Sequence, residues 1–109
     1  MSVQLPAPIA NYIAASNAHD PAAAAACFSS DAVVLDEGHE RRGSTDILKW
    51  KTGTTEKYRP TARVLDAAEA NGRTIVKCDV SGDFPGSPVE LKYAFVLDGE
   101  KIARLEIVP

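Results

Sequence analysis

The chain has 109 residues, a length that suits one domain over residues 1–109. Its net charge of −3 leaves no cationic field for a phosphate backbone, so we expect no nucleic-acid partner. Cys27 and Cys78 have no metal-ligand spacing, and no stretch has the pattern of a signal peptide or a membrane span, so we expect a cytoplasmic protein with no membrane partner.

Two helices are predicted at the start of the chain. Ile9, Tyr12 and Ile13 recur at helical spacing and form one apolar stripe, which should end near Ala18. Asp20 is a suitable N-cap for a second, alanine-rich helix over residues 21–26, because Pro21 fits the first helical position.

A short hairpin and a third helix follow. Residues 32–36 have the β-branched composition of a strand, residues 37–39 form a turn, and residues 40–42 return as a short strand. The third helix should begin at 43–45, bury Ile47, Trp50 and the stem of Lys51, and end at Gly53.

The second half of the chain alternates with a period of two, which is typical of strands. Asn71-Gly72 and Asp98-Gly99 are tight-turn signals, and Pro85-Gly86 fits the central positions of a type II turn. The predicted strands are 61–70, 74–84, 89–97 and 101–108; their expected inward residues are Val76, Cys78, Val80, Val89, Leu91, Tyr93, Phe95, Leu97, Ala103, Leu105 and Ile107.

The predicted order is helix, helix, short hairpin, helix and a four-strand antiparallel meander. Helices that are segregated from strands indicate the α+β class and argue against a parallel doubly wound sheet. We therefore expect a curved antiparallel sheet that packs against three N-terminal helices.

Three stretches in this order, "NYIAASNAHD", "CFSSDAVVLDEG" and "RRGSTDILKW", resemble the nuclear-transport-factor-two-like superfamily, which includes ketosteroid isomerase and the SnoaL-like polyketide cyclases. The resemblance covers nearly the whole chain. It implies a cone-shaped fold in which an opening helix, a strand ending in an acid and a glycine-led helix surround a pocket. It also implies a homodimer, here through the outer face of the sheet.

The resemblance to ketosteroid isomerase assigns roles to individual residues. Tyr12 aligns with the tyrosine of the oxyanion hole, and Asp36 aligns with the general base that moves a proton beside a carbonyl. The second oxyanion donor, a carboxylic acid in that enzyme, aligns with Tyr93, or with Lys92 if the shorter turn shifts the register. Neither residue is a carboxylic acid, but a phenol at this position could still donate a hydrogen bond.

The residues themselves support part of this assignment. Tyr12 and Tyr93 lie on apolar faces of their elements, and Asp36 closes a strand with no plainly polar face. Because burial of a carboxylate without partners is costly, Asp36 needs the indole N–H of Trp50, the hydroxyl of Tyr12 or water as a donor. The structural alternative is that Asp36 only ends its strand and accepts turn N–H groups.

Four further side chains complete the predicted site. We expect Trp50, Phe28, Val34 and Phe95 to line the ligand pocket. His39 has carboxylates nearby in sequence, but neighbouring residues of a strand point to opposite faces, so we expect no metal site and no cofactor.

Two functions remain open from the sequence. The first is an isomerase-like or cyclase-like enzyme that acts on a small apolar carbonyl compound, with Asp36 as base and Tyr12 and Tyr93 as oxyanion donors. The second is a non-catalytic ligand-binding or dimerisation module of the same fold.

Overall fold

The fold was analysed in a computed structural model that describes residues 4–109. These residues form three helices and six strands, which follow one another in the predicted order. The helices are α1 (Ala7–Asn17), α2 (Pro21–Ala25) and α3 (Gly43–Tyr58), and the strands are β1 (Phe28–Asp36), β2 (His39–Arg42), β3 (Thr61–Ala70), β4 (Arg73–Ser81), β5 (Val89–Asp98) and β6 (Lys101–Val108).

The helix starts follow local rules. Pro6 precedes α1, which buries Ile9, Tyr12 and Ile13, and the Asp20 carboxylate caps α2 by accepting the backbone N–H of Ala23 at 3.1 Å. The predicted end of the third helix is wrong. α3 continues past Gly53 for more than a turn and ends at Tyr58; Arg59 caps it with a positive φ of 44° and precedes Pro60.

The α+β class and the curved, unclosed cone are confirmed, and all six strands form one sheet in the order β2-β1-β6-β5-β4-β3. Neighbouring strands are antiparallel except for β1 and β6, which pair in parallel. The expectation of a purely antiparallel sheet is therefore corrected at this seam. A parallel pair needs a long connection, and here α3 and the meander supply it.

Irregular registers interrupt three strand pairs, and such bulges bend a strand and increase its twist. The register shifts between Phe28 and Val33 in the β1–β6 pair and between Val64 and Asp66 in the β3–β4 pair. A third shift lies in the β5–β6 pair. On β6, Ile102 and Leu105 are fully buried, whereas Ala103 and Ile107 are only half-buried. The expected buried set of β6 is thus corrected at Ile102 and Ala103.

The core fills the concave side of the sheet beneath the helices. Tyr12 contacts Phe28 and Phe95 edge-to-face, with ring centroids 5.4 and 6.0 Å apart. Val34 and Phe95 are completely buried in the same cluster. The core therefore occupies the closed end of the cone, and the other end is left open for a cavity.

Candidate active site

A cavity of about 660 Å³ opens between α1, α3 and the concave face of the sheet. This volume is in the range of pockets that hold small molecules. Tyr12, Asp36, Trp50 and Tyr93 all line it, so four of the seven predicted site residues meet at one cavity. Apolar and aromatic side chains supply much of the remaining wall, among them Tyr58, Val80, Phe84, Pro85, Val89, Leu91 and Ile107.

The other three residues that were expected to line the pocket lie elsewhere. Phe28, Val34 and Phe95 are absent from the cavity wall and belong to the core cluster, with exposures of 6%, 0% and 0%. Phe95 lies on the same strand face as Tyr93 but two residues deeper, where the ring of Tyr12 covers it. Their placement in the core corrects the expected lining.

Asp36 stands at the end of β1, where the strand meets the turn to β2, and it is half-buried. The indole N–H of Trp50 donates to its Oδ2 at 3.0 Å. No other hydrogen bond to the Asp36 carboxylate is present in the part of the chain that the structure describes. Trp50 therefore orients the carboxylate and leaves Oδ1 available to the cavity.

The two phenols are held by packing. Tyr12 is 1% exposed and Tyr93 is 9% exposed, and neither hydroxyl has a hydrogen-bond partner among residues 4–109. Among the described residues no fully buried side-chain oxygen lacks a hydrogen-bond partner, so each of these two phenol oxygens retains some exposed surface. Since both residues line the cavity, the hydroxyls are free to bind a ligand.

Burial keeps both phenols protonated at neutral pH. It raises the pKa of Tyr12 well above the ordinary value, and Tyr93 and Asp36 nearby raise it further. Burial also raises the pKa of Tyr93, with smaller contributions from Cys78 and Asp36. Both side chains can therefore donate a hydrogen bond at neutral pH.

Lys51 is the cavity residue that the sequence analysis missed, since only its stem was expected to pack. It is 5% exposed, and its ammonium donates to the Ser16 hydroxyl at 2.7 Å. Burial lowers the pKa of Lys51 to about 8, and Asp36 nearby acts in the opposite direction. The spacing of Ile47, Lys51 and Thr55 on one face of α3 was the signal that could have identified it.

No cluster of potential metal ligands is present among the described residues, 4–109. No helix in this part of the chain is both long enough and apolar enough to span a membrane.

With this geometry established, comparison with known proteins is informative. The sequence profile of the SnoaL-like domain matches residues 9–105. The chain belongs to the SnoaL-like family. Among curated proteins none matches the chain. The assignment agrees with the predicted resemblance to the nuclear-transport-factor-two-like superfamily.

Solved structures support this SnoaL-like assignment. A protein from Sinorhizobium meliloti named "putative polyketide cyclase" is 38% identical, with 95% of each chain covered and a TM-score of 0.90. A Catenulispora acidiphila protein with a ketosteroid isomerase-like fold, solved in complex with trimethylamine, is 19% identical over 97% of this chain and 87% of its own, with a TM-score of 0.84. A "putative polyketide cyclase" from Xanthomonas campestris is 18% identical over 92% of this chain and 85% of its own, with a TM-score of 0.77. The last two similarities concern the fold alone.

Proposed function

We propose that the cavity is the active site of a proton-transfer enzyme of the isomerase or cyclase kind, whose substrate is a small, mostly apolar carbonyl compound. The observation that supports this proposal is the arrangement of one oriented carboxylate and two unpartnered phenol hydroxyls around a single cavity. The 38% identity to the Sinorhizobium meliloti protein is compatible with cyclase chemistry.

In the proposed reaction, Oδ1 of Asp36 accepts a proton from the carbon next to the carbonyl group. The electron pair of the broken C–H bond moves onto the carbonyl oxygen and forms an enolate, and Tyr12 and Tyr93 donate hydrogen bonds to that oxygen. The protonated Asp36 then returns its proton to the same carbon or to a conjugated one. Trp50 holds the carboxylate in position through the cycle.

This reaction is tested by deuterium exchange of the acidic α-protons of 2-tetralone in D₂O, followed by proton NMR. We expect Asp36→Asn to slow the exchange by about 10²-fold or more and Tyr12→Phe or Tyr93→Phe to slow it by about 10- to 10²-fold. Asp66→Asn, an exposed carboxylate on β3, is the matched control and should exchange at the wild-type rate.

The same probe distinguishes the second hypothesis, a non-catalytic ligand-binding module. Trp50 is the only tryptophan of the chain and lies in the cavity wall, so its fluorescence reports ligand binding. If the ketone quenches Trp50 but wild type and Asp36→Asn exchange its protons equally slowly, the protein binds ligands without catalysis. Exchange that depends on Asp36 supports the enzyme.

The assembly and location are also proposals. We propose a homodimer through the outer face of the sheet, which carries Lys77 and Glu90 among its exposed and half-exposed side chains, in the cytoplasm of the cell. Light scattering after size-exclusion chromatography tests the dimer, and a monomeric mass at micromolar concentration would contradict it.

A further inference from the structure

Lys51 places a buried positive charge in the wall of the cavity. Its Nζ lies 5.4 Å from the ring centroid of Tyr12 and 5.4 Å from that of Trp50, and it donates one hydrogen bond to Ser16. An ammonium group has three donors, so two remain after the bond to Ser16. The residue itself lines the cavity.

The carboxylate that acts on this ammonium is that of Asp36, which also lines the cavity. Lys51 and Asp36 do not form an ion pair within 4.0 Å, whereas each is held by another partner, Ser16 and Trp50 respectively. The cavity therefore contains one fixed negative and one fixed positive group that are close but not in contact. Because both residues line the cavity, a ligand bound there can contact both groups.

Proton transfer to Asp36 would move the negative charge of this pair. Before the step the carboxylate carries the charge, and after it the enolate oxygen of the ligand carries it. Because Lys51 is fixed and shielded from water, its attraction for the new anion is stronger than it would be on the surface. Tyr12 and Tyr93 are neutral donors and cannot supply this net charge.

We propose that Lys51 is an oxyanion-binding residue of the cavity, which makes the cavity bind the anionic oxygen of an enolate more tightly than the neutral oxygen of a ketone. This inference rests on the proposed function and narrows its substrate class to carbonyl compounds that form a discrete enolate. Lys51 would add a charged donor to the two phenols, Tyr12 and Tyr93, whereas the second donor in ketosteroid isomerase is a neutral carboxylic acid.

A change of pH can remove the charge of Lys51 without ionising Tyr12 and Tyr93. Besides Lys51, the ionisable side chains of the cavity wall are Tyr12 on α1, Asp36 on β1, Glu37 in the turn after β1, Tyr58 on α3 and Tyr93 on β5, and α2 contains none. The pKa values of Tyr12 and Tyr93 are raised, whereas that of Lys51 is lowered to about 8. Lys51 thus loses its charge while both phenols remain neutral.

The test measures anion preference in the Asp36→Asn protein, in which the cavity has the charge that it would have after proton abstraction. The probes are 2,4-dinitrophenolate, a planar oxyanion that stays ionised above pH 6, and 1,3-dinitrobenzene, its neutral counterpart. Their dissociation constants are read from quenching of Trp50. Both dissociation constants are measured again in two double variants, Asp36→Asn with Lys51→Met and Asp36→Asn with Lys49→Met. Lys49→Met is the control, since it removes an exposed lysine from the same helix.

We expect the ratio of the two dissociation constants to favour the anion, and Lys51→Met to reduce this preference by about tenfold or more. Lys49→Met should leave it unchanged. A folded Lys51→Met protein with an undiminished preference for the anion would overturn the proposal, and so would a preference that falls equally in both lysine variants.

A pH series provides a second measurement if Lys51→Met does not fold. Asp36→Asn also removes the carboxylate that raises the pKa of Lys51, so in this variant Lys51 loses its charge at a lower pH than in the wild type. Between about pH 6.5 and pH 9 the affinity of the Asp36→Asn protein for dinitrophenolate should fall by about fivefold or more while its affinity for dinitrobenzene stays constant. An anion affinity that is constant over this range would overturn the proposal. Because Asp36→Asn removes the proposed base, neither result depends on turnover, and the deuterium exchange of the wild type is judged separately.

Discussion

Asn17 and Ala62 are joined by two reciprocal hydrogen bonds across 45 residues of sequence. The Asn17 amide donates to the Ala62 carbonyl oxygen at 2.9 Å, and the Ala62 N–H donates to Asn17 Oδ1 at 2.8 Å. β3 is an edge strand, so these groups of Ala62 have no neighbouring strand on that side. The side chain at the end of α1 therefore fixes the edge of the sheet to the helix that carries Tyr12.

Replacing Asn17 with alanine should destabilise the fold by about 1–3 kcal/mol, because both backbone groups of Ala62 lose their partner in a partly buried place. Urea unfolding followed by circular dichroism measures the change. Asn11→Ala is the control, since Asn11 is exposed on the same helix. Equal stability of the Asn17 and Asn11 variants would show that the two hydrogen bonds contribute nothing measurable.

Two glycines should respond in opposite directions to alanine. Gly53 lies within α3 with open space where a Cβ would be, so Gly53→Ala should stabilise the protein by about 0.5–1 kcal/mol. At Gly82 a Cβ would lie 2.5 Å from the Tyr58 carbonyl oxygen and 3.2 Å from Pro60 Cα, so Gly82→Ala should destabilise it by about 1–3 kcal/mol. Thermal melting of the two variants beside wild type decides both signs, and a stabilised Gly82→Ala would contradict the close packing of this loop.

Trp50→Phe keeps an aromatic ring in the cavity wall but removes the N–H that holds Asp36. A hydrogen bond to a charged acceptor contributes about 1.5–3 kcal/mol, and we expect a loss of stability near the lower end because Asp36 is half-buried and can turn to water. We also expect slower deuterium exchange of 2-tetralone, since the base is no longer oriented. Tyr58→Phe provides a comparison at another aromatic position of the wall. Exchange at the wild-type rate in Trp50→Phe would argue against an orienting role.

Lys51 should make stability depend on alkaline pH. Its pKa is lowered from 10.5 to about 8 in the folded state, so between these values the unfolded chain binds more protons and the free energy of unfolding rises with pH. Over the whole interval this contribution is on the order of 3 kcal/mol. Cys78, whose pKa is raised from 9.0 to about 11, acts in the opposite direction above pH 9, as do Tyr12 and Tyr93 above pH 10.

The difference between wild type and Lys51→Met isolates this contribution, because the thiol and the phenols are common to both proteins. Urea unfolding at a series of pH values should show wild type gaining stability relative to Lys51→Met from about pH 8 upward. A difference that is independent of pH would mean that the ammonium is not desolvated in the folded protein.

Much of the fold could be predicted because it depends on neighbours in the chain. The proline before α1, the cap at Asp20 and the alternation of Val76, Cys78 and Val80 act within a few residues. The Asn71-Gly72 turn was equally local, because both residues have the positive φ, 55° and 76°, that a tight hairpin requires. The family was implied by the resemblance of three stretches in this order to known members, and the profile match over residues 9–105 shows it.

The sequence alone could not determine how deep each side chain lies. Tyr93 and Phe95 share one face of β5, and period-two alternation assigns both to the inside, yet one reaches the cavity and the other is sealed in the core. Their difference depends on the position of Tyr12 above the sheet, and Tyr12 is more than 80 residues away from both in the chain.

By itself, then, the sequence determined the order of the elements and most of their buried faces, because short-range backbone preferences and periodicity are encoded within a few residues. Only the tertiary structure decided that β1 pairs with β6 in parallel, that α3 continues past Gly53 and that Lys51 lies near Asp36. Those outcomes depend on the bulged curvature of the sheet and on burial shared between distant elements, and no local pattern carries that information.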